Sequence, residues 1–436
     1  MKEKRFQLLI LSPPERTWGI NMKVTGIIAE YNPLHNGHQY HMNETRRITD
    51  ADFIIAVISG DFVQRGAPAV MDKYLRTEAA LKSGVDLVLE LPLFYAAGSA
   101  EYFAMGAVTL LDKLGCVDAL CFGSECGSIG ELSALARILA KEPEDYRLLL
   151  QKELRKGHSF PKARSLALEQ TCLSGSAHNR VLSASPNNIL GMEYLKSLQR
   201  RGSVITPHTI GRKGSGYHDK TLPLLEARTA SASAIRHALK ENPSLSAIRP
   251  YVPESVYHLL DTAQNRSFPL YSDDFSSLLH YKLLQEAPAG FACYLDVSGD
   301  LSGKICRNLL RFTGYESFCR ILKSKDITYA RLSRSLLHIL LHMTQAQMEE
   351  YIQNDYIAYA RILGFRQTAA PLLKALKTHA SVPVISKLSN AKHRLDPTGL
   401  SMLEHDIRAS HIYRSVAAGK YHVPFVHEYA KRPVIV

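Results

Sequence analysis

The stretch Ile28-Ala29-Glu30-Tyr31-Asn32-Pro33-Leu34-His35-Asn36-Gly37-His38-Gln39-Tyr40-His41 holds most of the residue types that could do chemistry, with His35-Asn36-Gly37-His38 at its centre. It lies where a β-branched apolar run hands over to a helical pattern. Its backbone N–H groups therefore fall at a helix N-terminus, a place that favours an anion. Gly37 admits close backbone approach, and the two imidazoles beside it can point at one phosphate group. Attack on an α-phosphate builds charge on the equatorial oxygens and the departing pyrophosphate, and fixed donors lower that barrier without covalent involvement. His35 and His38 are the candidate catalytic pair. Two histidines three residues apart at a helix start can also be caps or surface groups. The position of these two, after a strand and the Pro33 turn at the start of a β–α series, favours the phosphate role.

A second signal is Thr229-Ala230-Ser231-Ala232-Ser233-Ala234-Ile235-Arg236. Small hydroxyl residues at a helix start, with an arginine one turn later, form an anion site in which Ser233 offers a hydroxyl and Arg236 a fork of donors. An ordinary N-cap followed by an exposed arginine has the same pattern.

Strands and helices must carry these residues. Apolar runs predict strands at Val24–Glu30, Phe53–Ser59, Asp86–Leu91, Val117–Gly123 and Val204–Ile210, separated by helical patterns at about 37–49, 74–83, 99–115 and 187–201. That alternation is the mark of an α/β fold with a Rossmann-like, parallel, five-stranded sheet. The connection 130–180 is too long for a βα loop and is amphipathic, so it reads as a helical insertion. After about Glu241 helical periodicity takes over, as in Ser276–Gln285, Leu332–Tyr351 and Pro371–His379, and prolines at 243, 250 and 253 mark a boundary. The expected organisation is an extension over 1–21, a catalytic domain over 22–245 and a mostly α-helical, basic domain over 246–436.

A chain of 436 residues is too long for one ordinary core, and 46% hydrophobic with 22% charged residues is globular composition. No run of apolar residues is long enough for a membrane span. Seven cysteines, an odd number without a CxxC pair or a Cys/His cluster at zinc spacing, carry the pattern of neither a disulfide framework nor a zinc site, and the compartment expected is the cytoplasm. Lys plus Arg exceed Asp plus Glu by 53 to 41. From Arg361 onward there are 12 Lys/Arg against 4 Asp/Glu, so this tail is the first place to seek a polyanion footprint, a merely solvated helical surface being the alternative. Residues 1–21 begin basic but lack a signal-peptide cleavage pattern, and read as an extension from an upstream start codon.

Whole phrases of the chain resemble a known family. GIIAEYNPLHNGHQYH, SGDFVQRGAPAV, DKYLRTEAALKSGVDLVLELP, FGSE, SPNNILGMEY and YHD are similar to the bacterial tRNA(Met) cytidine acetate ligase family, within the HxGH nucleotidyltransferase superfamily. YIAYARILGF and DIRASHIYR extend the resemblance into the C-terminal half; TASASAIR is looser than the superfamily's usual second motif. The resemblance implies that ATP and acetate give acetyl-adenylate and pyrophosphate, and that the acetyl group passes to N4 of the wobble cytidine of elongator tRNA(Met). It places ATP contacts on Ile28 through His41, Gly123, Asn187 and Arg212. Each position has its own logic. Gly123 ends a strand, where a missing Cβ lets adenosine lie against the sheet. Asn187 opens a helix, and can cap it or hold the nucleotide. Arg212 follows a strand and can reach phosphate, or be a solvated loop residue.

Magnesium is expected with the triphosphate, riding in on the nucleotide, since no carboxylate cage is evident. No obligate protein partner is implied. Gln64 and Arg65 follow the second strand on the active-site edge, where they orient acetate or the base, or simply face solvent. Asp72 reads as a helix cap. Two other functions share the motifs: a small-molecule adenylyltransferase, which leaves the basic helical half without a role, and a non-catalytic RNA-binding protein, against which the intact His35 and His38 argue.

Overall fold

The computed structural model describes residues 22–171, 185–212, 222, 229–242, 244–325 and 327–436. The extension 1–21 and the YHD phrase lie outside them. Five strands, β1 (Val24–Ala29), β2 (Phe53–Ser59), β3 (Leu87–Leu91), β4 (Ala119–Ser124) and β5 (Thr206–Gly211), pair in parallel in the order β3-β2-β1-β4-β5. Each fell within two residues of the position its apolar run predicts. β2 and β3 are buried nearly throughout because helices cover both faces of a parallel sheet, which is why they read as continuous apolar runs. The chain leaves β1 toward β2 on one side and returns to β4 on the other. That reversal opens a crevice at the carboxyl ends of β1 and β4, the place where doubly wound sheets bind ligands.

Helices α1 (Asn36–Thr49), α2 (Lys73–Lys82) and α3 (Ala100–Lys113) make the first crossovers. Asp72 caps α2, accepting from the N–H groups of Tyr74 and Leu75. The insertion holds α4 (Ile129–Lys141), α5 (Glu144–Arg155) and α6 (Phe160–Thr171), and α7 (Pro186–Arg201) returns the chain to β5. α4 buries Leu132, Leu135, Ala136 and Leu139, one stripe at helical spacing. α8 (Ala232–Glu241) follows the second motif.

The C-terminal half departs from expectation. It is mostly helical, with α9 (Tyr329–Leu340) and the 25-residue α10 (Pro397–Tyr421), but it also contributes three strands. β6 (Ala360–Phe365) pairs antiparallel with β3, and β7 (Val384–Ile385) and β8 (Val434–Ile435) pair with β6, so the sheet has eight strands rather than five. The sheet therefore does not end at residue 245. The physical reason is the free edge of β3, whose unpaired N–H and C=O groups need a partner. The six residues of β6 lie among helical patterns and are too short to be separated from a buried helix by periodicity.

Buried charges join the halves. Lys73 of α2 pairs with Glu90 of β3 at 2.7 Å and with Glu428 at 2.8 Å; Arg361 of β6 pairs with Glu90 at 2.8 Å and Glu428 at 2.6 Å. Arg414 of α10 reaches Glu428 at 3.2 Å. Two of the basic tail's twelve cations are thus internal structure rather than solvated surface, whereas Lys374, Lys377, Lys387 and Lys392 are exposed. The six cysteines among the described residues are free, and no described helix is long and apolar enough to cross a membrane.

Candidate active site

His35 is the N-cap of α1. Its Nδ1 accepts from the Gly37 N–H at 3.1 Å, while Nδ1 of His38 accepts from the His35 N–H at 3.2 Å. This is a reciprocal capping box made of imidazoles, and the two rings stack with centroids 3.8 Å apart. Capping, one of the two readings of the sequence, uses only the Nδ1 edge of each ring. Because each Nδ1 accepts a backbone N–H, each neutral ring must carry its proton on Nε2, which leaves two N–H donors for the cavity the rings line. Gly37 is required here: a Cβ would stand 2.9 Å from Cε1 of His35.

Burial, reinforced by the Arg212 and Arg236 guanidinium groups, lowers His35 to about 3 from the ordinary 6.5. Burial and then Arg212 lower His41 to about 4. His38 also lies well below its ordinary value, through burial and then its histidine and arginine neighbours. Without ligand these are neutral donors at pH 7. Nε2 of His41 and Oη of Tyr31 are buried and lack a hydrogen-bond partner among the described residues.

The loop is held from several sides. Asn32 Oδ1 accepts from the Val70 N–H at 2.8 Å, and Arg236 Nη1 donates to the Asn32 carbonyl at 2.7 Å. Arg236 Nη2 also meets Ser233 Oγ at 3.1 Å, so the second motif braces the first. The cap of α8 is Ser231, which accepts from the Ala234 N–H; Ser233 stays in the cavity wall. Arg76, fully buried, donates to the carbonyls of Glu30, Gly60 and Met71 and ties the carboxyl ends of β1 and β2 together.

These residues enclose a cavity of about 370 Å³, within the range of small-molecule sites. Ten residues of the stretch 28–41 line it. Pro33, Leu34, Asn36 and Gln39 do not: Leu34 is core, Asn36 Nδ2 donates to the Pro250 carbonyl and Gln39 Nε2 to the Ser83 carbonyl. Gly123, Asn187, Arg212, Ser233 and Arg236 all reach the wall, as do Gln64 and Arg65. A Cβ on Gly123 would meet nothing closer than 3.7 Å, so protein packing alone does not demand a glycine there. Asn187 is not the cap of α7. Glu125 takes that task, its carboxylate accepting from the N–H groups of Asn187 and Asn188, and Asn187 Nδ2 donates to Glu125 at 2.6 Å.

Sequence reasoning passed over the apolar wall of Phe103, Phe122, Leu190, Tyr194 and Ile210, since nothing in such residues signals a site. It also passed over Arg76 and Glu125, although both lie inside phrases that carried the resemblance. Among the described lining residues Arg65, Arg212 and Arg236 stand with one carboxylate, that of Glu30, a lining that suits a polyanion. Among the described residues no three His, Cys, Asp or Glu side chains gather to hold a metal ion.

A switch-point crevice, a paired-histidine helix start and a cationic second motif define a nucleotidyltransferase-type protein. The sequence profile of the HIGH Nucleotidyl Transferase family matches residues 22–424. A tRNA(Met) cytidine acetate ligase of Thermoanaerobacter sp. (strain X514) is 42% identical over 393 residues, 90% of this chain and 95% of that protein. The one of Clostridium acetobutylicum is 43% identical over 375 residues, 85% of this chain and 91% of that protein. The structure also resembles the crystal structure of Thermotoga maritima TmcAL bound with alpha-thio ATP, with a TM-score of 0.87, 32% identity and coverage of 95% of this chain and 100% of that one. The chain belongs to the tRNA(Met) cytidine acetate ligase family of HIGH nucleotidyl transferases.

Proposed function

We propose that the protein is an ATP-dependent ligase that activates acetate as acetyl-adenylate and transfers the acetyl group to N4 of the wobble cytidine, position 34, of elongator tRNA(Met), forming N4-acetylcytidine. Acetate is a poor acyl donor until its oxygen bears a good leaving group, and the cytosine amine is a weak nucleophile, so activation must precede transfer. The adenosine lies against Gly123 and the apolar wall, with its phosphates toward His35, His38, Arg212 and Arg236. An acetate oxygen attacks the α-phosphorus, the bond to the pyrophosphate oxygen breaks, and the Nε2–H donors take up the charge that develops.

One observation carries the reading: two imidazoles whose Nδ1 atoms are occupied by backbone N–H groups leave both Nε2–H donors to the cavity. The relatives' name sets the ligase above a small-molecule adenylyltransferase or a non-catalytic RNA-binding protein. Magnesium accompanies the triphosphate as its counter-ion, since the described lining residues offer one carboxylate, Glu30, beside three arginines. The exposed lysines of the tail meet tRNA phosphates while the unpaired anticodon base enters the site, in the cytoplasm where tRNA is modified.

The test is pyrophosphate exchange into ATP without tRNA. Exchange that requires acetate is the expected result; exchange indifferent to acetate overturns the reading.

A further inference from the structure

A second cavity, of about 360 Å³, adjoins the first, and Glu30, Asn32, Arg65 and Arg236 line both. It lies where the two halves of the chain meet, between residues 63–70 and α8 on one side and Leu270–Ser272, Glu316 and α9 on the other. Nothing in adenylate formation uses it. Its size exceeds that of acetate severalfold. Its walls combine apolar surface with two aromatic rings, Tyr271 and Tyr329, and Tyr329 is 41% exposed. Lys240 stands 5.8 Å from the Tyr271 ring centroid and is paired with Glu316 at 3.0 Å, so the described lining of this cavity adds a second carboxylate to Glu30 where that of the first has Glu30 alone. Flat apolar faces beside a few polar groups suit a nucleobase, which stacks on aromatic rings, better than a second phosphate chain.

Of the four shared residues only Glu30 can accept a proton. Its position is fixed from two directions: Arg76 Nη1 holds its carbonyl at 2.7 Å, and the Gln64 N–H donates to Oε1 at 2.9 Å. A carboxylate is the group that accepts from the exocyclic amine of cytosine. We infer that the second cavity is the acceptor site, that it takes the cytidine base between the halves of the protein, and that Glu30, at the junction, receives the proton of its N4 amine.

The inference rests on the function proposed above. The amine nitrogen forms a bond to the acetyl carbon, and the bond from that carbon to the phosphate oxygen breaks. AMP leaves with the electron pair, and one N4 proton passes to the Glu30 carboxylate. Asn32 and Arg236 belong to both cavities, which places the adenylate's acyl group at the passage between them.

The experiment uses the full chain, unmodified elongator tRNA(Met) transcript and labelled acetate. It measures acetate-dependent exchange and single-turnover acetyl transfer from preformed adenylate. Glu30→Gln keeps an oxygen for the Gln64 N–H and removes the base; it should lower transfer about 10²-fold beyond any effect on exchange, and abolish the acidic limb of the transfer pH profile. Tyr329→Ala should raise KM for the transcript about tenfold and leave KM for acetate in exchange unaltered. Transfer falling only in step with exchange in Glu30→Gln, with an unchanged pH profile, overturns the role of Glu30. A rise in KM for acetate in Tyr329→Ala assigns the cavity to acetate and overturns the acceptor site. If Glu30→Gln loses exchange altogether, the Tyr329→Ala split decides. A wild-type protein that exchanges but acetylates no transcript defeats the proposed function itself, a different result from any of these.

Discussion

Two of the regions in which this molecule buries ionisable groups treat them in opposite ways. Around Glu428 buried ion pairs interlock: Lys73, Arg361 and Arg414 surround Glu428 and Glu90. Burial alone would raise the Glu428 carboxyl, but the three cations outweigh it and hold the group far below the usual carboxylate range. Around His35 the arginines face one carboxylate, and burial has stripped the histidines of their charge. A compensated cluster costs little once formed and does nothing further except hold two chain segments together. A cavity lined by buried neutral imidazole donors and arginines favours an anion from outside. The contrast separates structure from site without reference to any relative.

The compensated region should be hurt most by losing one partner. Glu428→Ala leaves Arg414 without its carboxylate and Lys73 and Arg361 with Glu90 alone, and should cost about 3–5 kcal/mol in urea denaturation. A loss below 1 kcal/mol would mean that water reaches the cluster and that it is not the lock between the halves. Around the cavity, His35→Ala and His38→Ala should each slow acetate-dependent exchange by about 10²–10³, the usual loss of one transition-state donor, and leave the fold intact. Near wild-type rates in either variant remove that histidine from the mechanism.

Gly123→Ala should weaken nucleotide binding by about 1–3 kcal/mol through overpacking against the ligand. Its effect on stability should stay within about 0.5 kcal/mol, because the new methyl meets no protein atom closer than 3.7 Å. Equal losses of stability and affinity would show that the glycine serves packing.

The buried histidine also predicts a pH response. In the unfolded chain an imidazole takes up its proton near 6.5, whereas His35 in the fold resists until about 3. Between those values the unfolded state binds more protons, so stability present above 6.5 is lost as the pH falls, by about 1.4 kcal/mol per pH unit for this group. His35→Gln should flatten that slope, and a slope identical to wild type would contradict the buried neutral state.

The smallest effect is expected at the exposed tail. Lys374, Lys377, Lys387 and Lys392 changed together to Glu should leave exchange intact and weaken tRNA binding, with a shallower dependence of log Kd on log salt; single reversals should stay within about 0.5 kcal/mol in stability. An unchanged salt slope in the fourfold variant would move the footprint elsewhere, with Lys152, Arg155 and Lys156 of the insertion next to be tried.

Much of the catalytic sheet was legible because its signals are local. The run Phe53–Ser59 is apolar whatever surrounds it, and Asp72 before a helical pattern caps that helix for reasons contained in four residues. The His35 to His38 spacing likewise announces a helix start with two imidazoles on it. Asn187 was harder. One carboxylate 62 residues away, Glu125, takes the helix cap from it, and no spacing rule connects them.

Sequence by itself determined where strands hand over to helices, and that His35 and His38 would meet at one such junction, because both depend on neighbours within a turn or two. Tertiary structure alone decided the protonated edge of each histidine, the closure of the β3 edge by β6, the burial of Arg361 and Arg414, and the convergence of Arg236 on Asn32 across 204 positions. Those outcomes depend on which distant groups exclude water from one another. The energy of a charge or a free sheet edge is set by that exclusion and not by the residue's own type.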